Sequence, residues 1–139
     1  MERSLVCPFA LLALLALPGC TTVQHTPCAG DARPQLRAEL IFGRRISGGG
    51  TIGESAWRHF VDEEVTPRFP DGFTVLDGRC QWRGPGEGGI VKEDSKVLVI
   101  AMPDEPHRRA RLDEIATAYK RRFRHESVAR FLAPSCVSF

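Results

Sequence analysis

Between Arg83 and Ile90 the chain has room for a turn and little else. Gly84 to Gly89 follows a strand-forming run, Phe73 to Leu76 and then Arg79 to Arg83 around Trp82, and precedes another that ends in Lys96-Val97-Leu98-Val99-Ile100-Ala101. Strands joined by so short a hairpin pair antiparallel, because a parallel crossover needs a dozen residues or more. A doubly wound parallel sheet is therefore disfavoured. The uninterrupted apolar end of the second run predicts a central strand, covered on both faces or facing a partner.

The rest of the order follows from periodicity. Leu36 to Gly43 alternates, with Leu36, Ala38, Leu40 and Phe42 on one side and Arg37, Glu39 and Ile41 on the other, as in a strand with one buried face. Ser47-Gly48-Gly49-Gly50 breaks it. A helix follows, with Gly53 as N-cap, Ile52 and Trp57 at the spacing of a hydrophobic staple, and Trp57, Phe60, Val61 and Val65 as the apolar stripe. Pro67 predicts its end near Thr66. Pro70-Asp71-Gly72 reads as a turn, and Gly78 as a bulge in the next strand. After Pro106 a second helix carries Leu112, Ile115, Ala116, Tyr119 and Phe123, and a last strand over Ser127 to Leu132 leads to a short tail. Strand, helix, strand, strand, helix, strand predicts an α+β domain of the ferredoxin-like split type over residues 36–139. Four antiparallel strands would be covered by two helices on one face.

The other end of the chain bears on location. Leu5 to Leu17 is apolar but short for a membrane span, Arg3 precedes it, and Leu17-Pro18-Gly19-Cys20 closes it. This pattern resembles a bacterial lipoprotein signal. The resemblance implies removal of residues 1–19, diacylglycerol on the Cys20 thiol and an acyl chain such as palmitate on the new amino group, with Pro18 a departure from the usual small residue. It also implies a domain tethered to the inner or outer membrane of a bacterial cell envelope, facing the periplasm or the exterior. Residues 20–35, rich in Thr, Gln, Pro and Gly without periodicity, read as the tether.

A formal net charge of +2 gives no electrostatic reason to seek nucleic acid, and none is expected as a partner. Of five cysteines, Cys7 lies in the signal and Cys20 at the lipid site, which leaves Cys28, Cys80 and Cys136 in a compartment that permits disulfides. One pair and a leftover is the simplest count; three buried thiols is the alternative. In the proposed sheet the last strand runs antiparallel to the first, which brings the segments holding Cys28 and Cys136 to one end and predicts a bridge between them.

Arg37 to Gly43, Val65 to Gly78, Tyr119-Lys120-Arg121-Arg122-Phe123 and Cys136-Val137-Ser138-Phe139 together resemble a bacterial exported family, domain of unknown function 3574. The resemblance implies a compact envelope domain, often a lipoprotein, without assigned substrate or catalytic residues. Gly53 and Cys80 depart from its pattern, where a Ser-type cap and a small residue are expected.

The chemistry-bearing residues do not form a recognisable catalytic set. Gly48 to Ser55 has the glycine spacing of a phosphate loop, but Glu54 stands where a lysine would meet the phosphates. Gly53-Glu54-Ser55-Ala56-Trp57 lacks the closing glycine of a nucleophile elbow. His25, His59, His107 and His125 are scattered, so no metal site and no cofactor is expected, and His125 reads as a complement to the helix end before it. Asp62, Glu63 and Glu64 fan outward on their helix, and the arginines of the second helix read as a solvated surface. Arg68, Asp71, Asp77, Arg79 and Trp82 stand out because charges and an aromatic crowd a Pro- and Gly-rich stretch. They read either as a structural cluster, with Arg68 paired to Asp71 or Asp77, or as the lining of a pocket for a small polar ligand. The leading expectation is a binding or interaction module with an envelope protein or small polar ligand as partner, and a homodimer through the sheet face among the assemblies this fold allows. The alternative is a small-molecule enzyme resembling dimeric α+β barrel proteins.

Overall fold

The computed structural model describes residues 27–83 and 89–139. Strand β1 (Arg33–Gly43) leads to helix α1 (Glu54–Phe60), which continues through a π-helical turn over Val61–Val65. Strands β2 (Thr74–Arg83) and β3 (Ile90–Met102), helix α2 (Pro106–Phe123) and strand β4 (Ala129–Val137) complete the order. The strands lie as β2-β3-β1-β4, antiparallel throughout, which is the ferredoxin-like arrangement expected from the short hairpin. Residues 1–19, Cys20 and most of the hairpin loop, residues 84–88, lie outside the described residues, as does the first part of the tether.

Alternation decides which side of the sheet is dry. Successive strand residues point to opposite faces, so Leu36, Ala38, Leu40 and Phe42 of β1 align with Met102, Ile100, Leu98 and Lys96 of β3 on the helix side. All of these but Lys96 are apolar and are buried against Trp57, Phe60, Val65, Phe69, Leu112, Ile115 and Tyr119. Phe42 is the hub: its ring centroid lies 4.7 Å from Tyr119, 5.2 Å from Trp57 and 6.0 Å from Phe60. Such tilted and edge-on pairs each add about 0.5–1.5 kcal/mol to the area they bury.

Gly53 is the N-cap of α1, and Ile52 and Trp57 are both buried, as a staple requires. Before Pro67 the helix widens where a plain α-helical end was expected. The Thr66 amide donates to the Val61 carbonyl at 2.9 Å, a five-residue spacing, and the Phe69 amide then donates to Val65. This extra residue lets both Phe60 and Val65 reach the core.

Three strand expectations are corrected. Gly78 makes no bulge, since β2 and β3 pair residue for residue from Thr74 opposite Val99 to Arg83 opposite Ile90. Gly78 is required by its neighbour instead: a Cβ there would lie 2.9 Å from the Ser95 hydroxyl. Strand β1 starts at Arg33, inside the stretch read as tether, because its backbone pairs with β4 as far as Val137. Strand β4 begins later than expected and runs through Pro134, which an edge strand tolerates because the missing N–H can face solvent. Cys28 and Cys136 are bridged, with Cα atoms 5.5 Å apart, as the topology predicted.

Candidate functional site

The open side of the sheet, away from the helices, holds a cleft of about 930 Å³ at the end where β1 leaves the sheet. Its floor comes from positions that alternation sends to that side: Ile41 and Gly43 of β1, Val91 and Glu93 of β3, and Cys80 and Trp82 of β2. One wall is the turn after β1. There the Ile46 amide donates to the Gly50 carbonyl at 3.1 Å, and Gly48, Gly49 and Gly50 all take positive φ, which excludes most other residues. The Arg44 guanidinium fastens this turn by donating to the Ile52 carbonyl at 2.7 Å and pairing with Glu54. The other wall is the connection from α2 to β4, with His125, Glu126 and Ser127.

Glu93 is the fixed charge of the cleft. Its Oε1 accepts from Trp82 Nε1 and its Oε2 from the Arg45 amide, each at 3.0 Å. Gly43 makes room for it, because a Cβ on Gly43 would stand 2.5 Å from Oε2. Each carboxylate oxygen keeps further acceptor capacity. His125 lines the same cleft. Its Nδ1 lies 3.1 Å from the Ser127 carbonyl, which can only accept, so Nδ1 carries a proton. Its Nε2 is buried without a hydrogen-bond partner. Arg124, in the left-handed conformation with φ 52°, turns the chain out of α2 so that His125 rests on the Tyr119 ring at 5.6 Å. Tyr119 in turn donates to the Gly43 carbonyl at 2.8 Å. Burial raises its phenol pKa well above the usual range, with the Glu93 charge adding to the effect and Arg44 opposing it. The aromatic core thus carries the end of β1, and the end of β1 carries the cleft.

The five residues singled out in sequence do not converge. Arg68 pairs with neither Asp71 nor Asp77: it bonds Glu64, one ordinary helical turn before it, and Glu114 of α2, each at 2.9 Å. Asp71 meets Arg108 of α2 at 3.3 Å. Asp77 meets the buried Lys96 at 2.6 Å, and that hydrogen bond holds its carboxyl below the usual range. Arg79 lies in a smaller hollow beside the cleft, 3.8 Å from Asp94, and Trp82 alone of the five lines the cleft. The sequence reading missed Glu93 and gave His125 a purely electrostatic part. A signal was present: Glu93 shares the period-two face of Val91, Val97 and Val99, where a carboxylate interrupts apolar positions. Glu54 closes the phosphate-loop reading, since its carboxylate binds Lys96 at 2.8 Å. His59 is exposed, and among the described residues no group of three or more His, Cys, Asp or Glu side chains is placed to hold a metal ion.

The family pattern described as a protein of unknown function, DUF3574, matches residues 37–139, nearly all of this fold. The chain belongs to the DUF3574 family. No curated protein matches it in sequence. Among solved structures it is similar to a phage SAM lyase in complex with S-methyl-5'-thioadenosine, at 12% identity and a TM-score of 0.57, over 84% of this chain and 96% of that one. The same enzyme in its apo state gives a TM-score of 0.56 at 12% identity, over 84% and 97% of the two chains. At that identity the likeness speaks for the DUF3574 fold and not for its chemistry.

Proposed function

We propose that this DUF3574 protein is a lipid-anchored envelope domain that binds a small molecule in the cleft on its open sheet face. The observation that carries the binding reading is the Glu93 carboxylate, held by Trp82 and the Arg45 amide above an apolar floor in a cleft that His125 also lines. A carboxylate beside an indole and aliphatic side chains suits a ligand with N–H or O–H donors, or a positive charge, on a flat or apolar body. Thermal shift and calorimetry with amines, nucleosides and S-methyl-5'-thioadenosine test it. Binding that Glu93→Gln weakens at least about tenfold supports the reading; binding unaffected by that change overturns it.

The lipid anchor rests on the Leu17-Pro18-Gly19-Cys20 signal, and a Cys28–Cys136 bridge suits the oxidising envelope that such a signal implies. No helix among the described residues is long and apolar enough to cross a membrane. Mass spectrometry of the amino terminus is expected to find a lipid-modified Cys20, and Cys20→Ala to release the domain from the membrane. An unmodified terminus at another residue would exclude the anchor.

A second reading keeps the same cleft and makes it catalytic. What favours it is a carboxylate and an imidazole lining one cleft of a fold shared with a phage SAM lyase. Incubation with SAM, followed by chromatography for its breakdown, separates the two: turnover lost in Glu93→Gln selects the enzyme, and binding without turnover selects the module.

A further inference from the structure

The sheet face that holds the cleft is apolar well beyond it. Ile41, Val97 and Val99 from the two central strands share it with Leu76 and Phe131 from the flanking strands, and Leu76 is 50% and Phe131 59% exposed. A contiguous apolar patch of this kind on a folded domain marks an interaction surface. On its central strand stands one ion pair, Arg37 to Glu39 at 2.7 Å, flanking Ala38, whose side chain points into the core.

Opposite charges two residues apart on one strand are complementary to a rotated copy of themselves. We propose that a second copy of this chain covers the face, with the two β1 strands crossing antiparallel about Ala38, so that Arg37 of each copy meets Glu39 of the other. An isologous two-fold contact requires such self-complementarity. The alternative crossing, with β1 strands parallel, sets Arg37 against Arg37 and Glu39 against Glu39. Apolar side chains around the four charges then interdigitate as in two sheets packed face to face at about 30°.

The same rotation gives the cleft a lid. Residues equidistant from Ala38 face each other, so the first residues of one copy's β1, Arg33 to Gln35, stand over Ile41 and Gly43 of the other, at the mouth of the cleft. Gln35 lies on the open face, and its amide oxygen is buried without a partner in the single chain. The dimer itself rests on the face and not on the small-molecule reading, so it is measured without ligand.

Every described core residue lies at or beyond Leu36, so the chain lacking residues 1–20 keeps its core and its disulfide. Sedimentation of that chain over a concentration series is expected to show a dimer. Arg37→Glu and Glu39→Arg are each expected to weaken it at least about tenfold, by setting like charges together. An equimolar mixture of the two variants is expected to restore a dimer, since one then carries two acids where the other carries two bases. That rescue separates contacts between copies from the ion pair within one chain, which is lost in both variants. A monomeric wild-type chain, a stoichiometry other than two, single variants that associate as tightly as wild type, or a mixture without rescue would overturn the proposal. Circular dichroism of each variant confirms that the fold is retained.

Discussion

The carboxylate of Glu93 occupies the space that a side chain on Gly43 would fill. A Cβ on Gly43 would lie 2.5–2.7 Å from the carboxylate atoms, and the far end of Glu93 is not free to swing, being bonded to Trp82 and the Arg45 amide. Gly43→Ala is therefore expected to expel Glu93 from the cleft, to cost about 1–2 kcal/mol through the two lost hydrogen bonds, and to change the tryptophan emission. Thermal melts and fluorescence check this. In Glu93→Ala the same glycine substitution should cost much less, because the obstructing group is gone.

Arg68 holds the far end of α1 and not the turn after it. Its guanidinium reaches the Glu64 carbonyl at 2.8 Å as well as the Glu64 and Glu114 carboxylates, and its own carbonyl accepts from Arg111 at 3.0 Å. The pair with Glu64 is partly buried, with side-chain exposures of 27% and 18%. Arg68→Ala is expected to destabilise the domain by about 1–2 kcal/mol. A double-mutant cycle in denaturant should find coupling of Arg68 with Glu64 and none with Asp77.

Lys96 is buried on the helix-facing side of β3, at mid-strand opposite Phe42, with its ammonium 2.8 Å from Glu54 and 2.6 Å from Asp77. Burial pulls its pKa down, and the hydrogen bonds to the two carboxylates outweigh that pull and leave it raised. Both carboxylates are largely exposed and can return to water. Lys96→Met keeps the buried stem and is expected to lie within about 1 kcal/mol of wild type, as replacements of buried ion pairs often do. Lys96→Ala leaves a void and should cost about 2–3 kcal/mol. Equilibrium unfolding of both variants separates the part played by the charge from that of the packing.

What the sequence made legible is what periodicity and chain connectivity control. The hairpin was too short for a crossover, the alternation from Leu36 to Phe42 named the buried face of β1, and the topology brought Cys28 to Cys136. What it concealed depends on register between distant segments. Glu93 meets Trp82 eleven residues away only because β2 and β3 pair without the bulge that Gly78 suggested. Arg68 finds Glu64, four residues before it, because the chain stays helically wound past Pro67, where the sequence predicts the helix to have ended. His125 faces the cleft because Arg124 turns left-handed, in a place usually taken by glycine.

The Cys28–Cys136 bridge closes a span of 108 residues around the whole described domain. On the chain-entropy account such a closure contributes on the order of 4–5 kcal/mol, a large share of the stability of a domain this size. Reduction, or the Cys28→Ser and Cys136→Ser pair, is expected to lower the melting temperature by more than ten degrees while Cys80→Ser leaves it nearly unchanged. Calorimetry with and without a phosphine reductant checks both arms.

Alkaline pH should loosen the domain through Tyr119. Its folded pKa is raised above the ordinary value of 10.0, so the folded state holds the phenolic proton more tightly than the unfolded chain does. The sign follows: the contribution is fully present below about pH 10 and is lost as pH rises toward the folded value. Lys96, raised from 10.5, acts in the same direction and begins slightly higher. Unfolding free energies measured from pH 8 to pH 11 are expected to be flat at first and then to fall. Tyr119→Phe should start lower by about 1–2 kcal/mol, for the lost bond to the Gly43 carbonyl, and then fall less steeply because the titrating hydroxyl is absent. Parallel curves for the two proteins would show that the alkaline loss arises elsewhere.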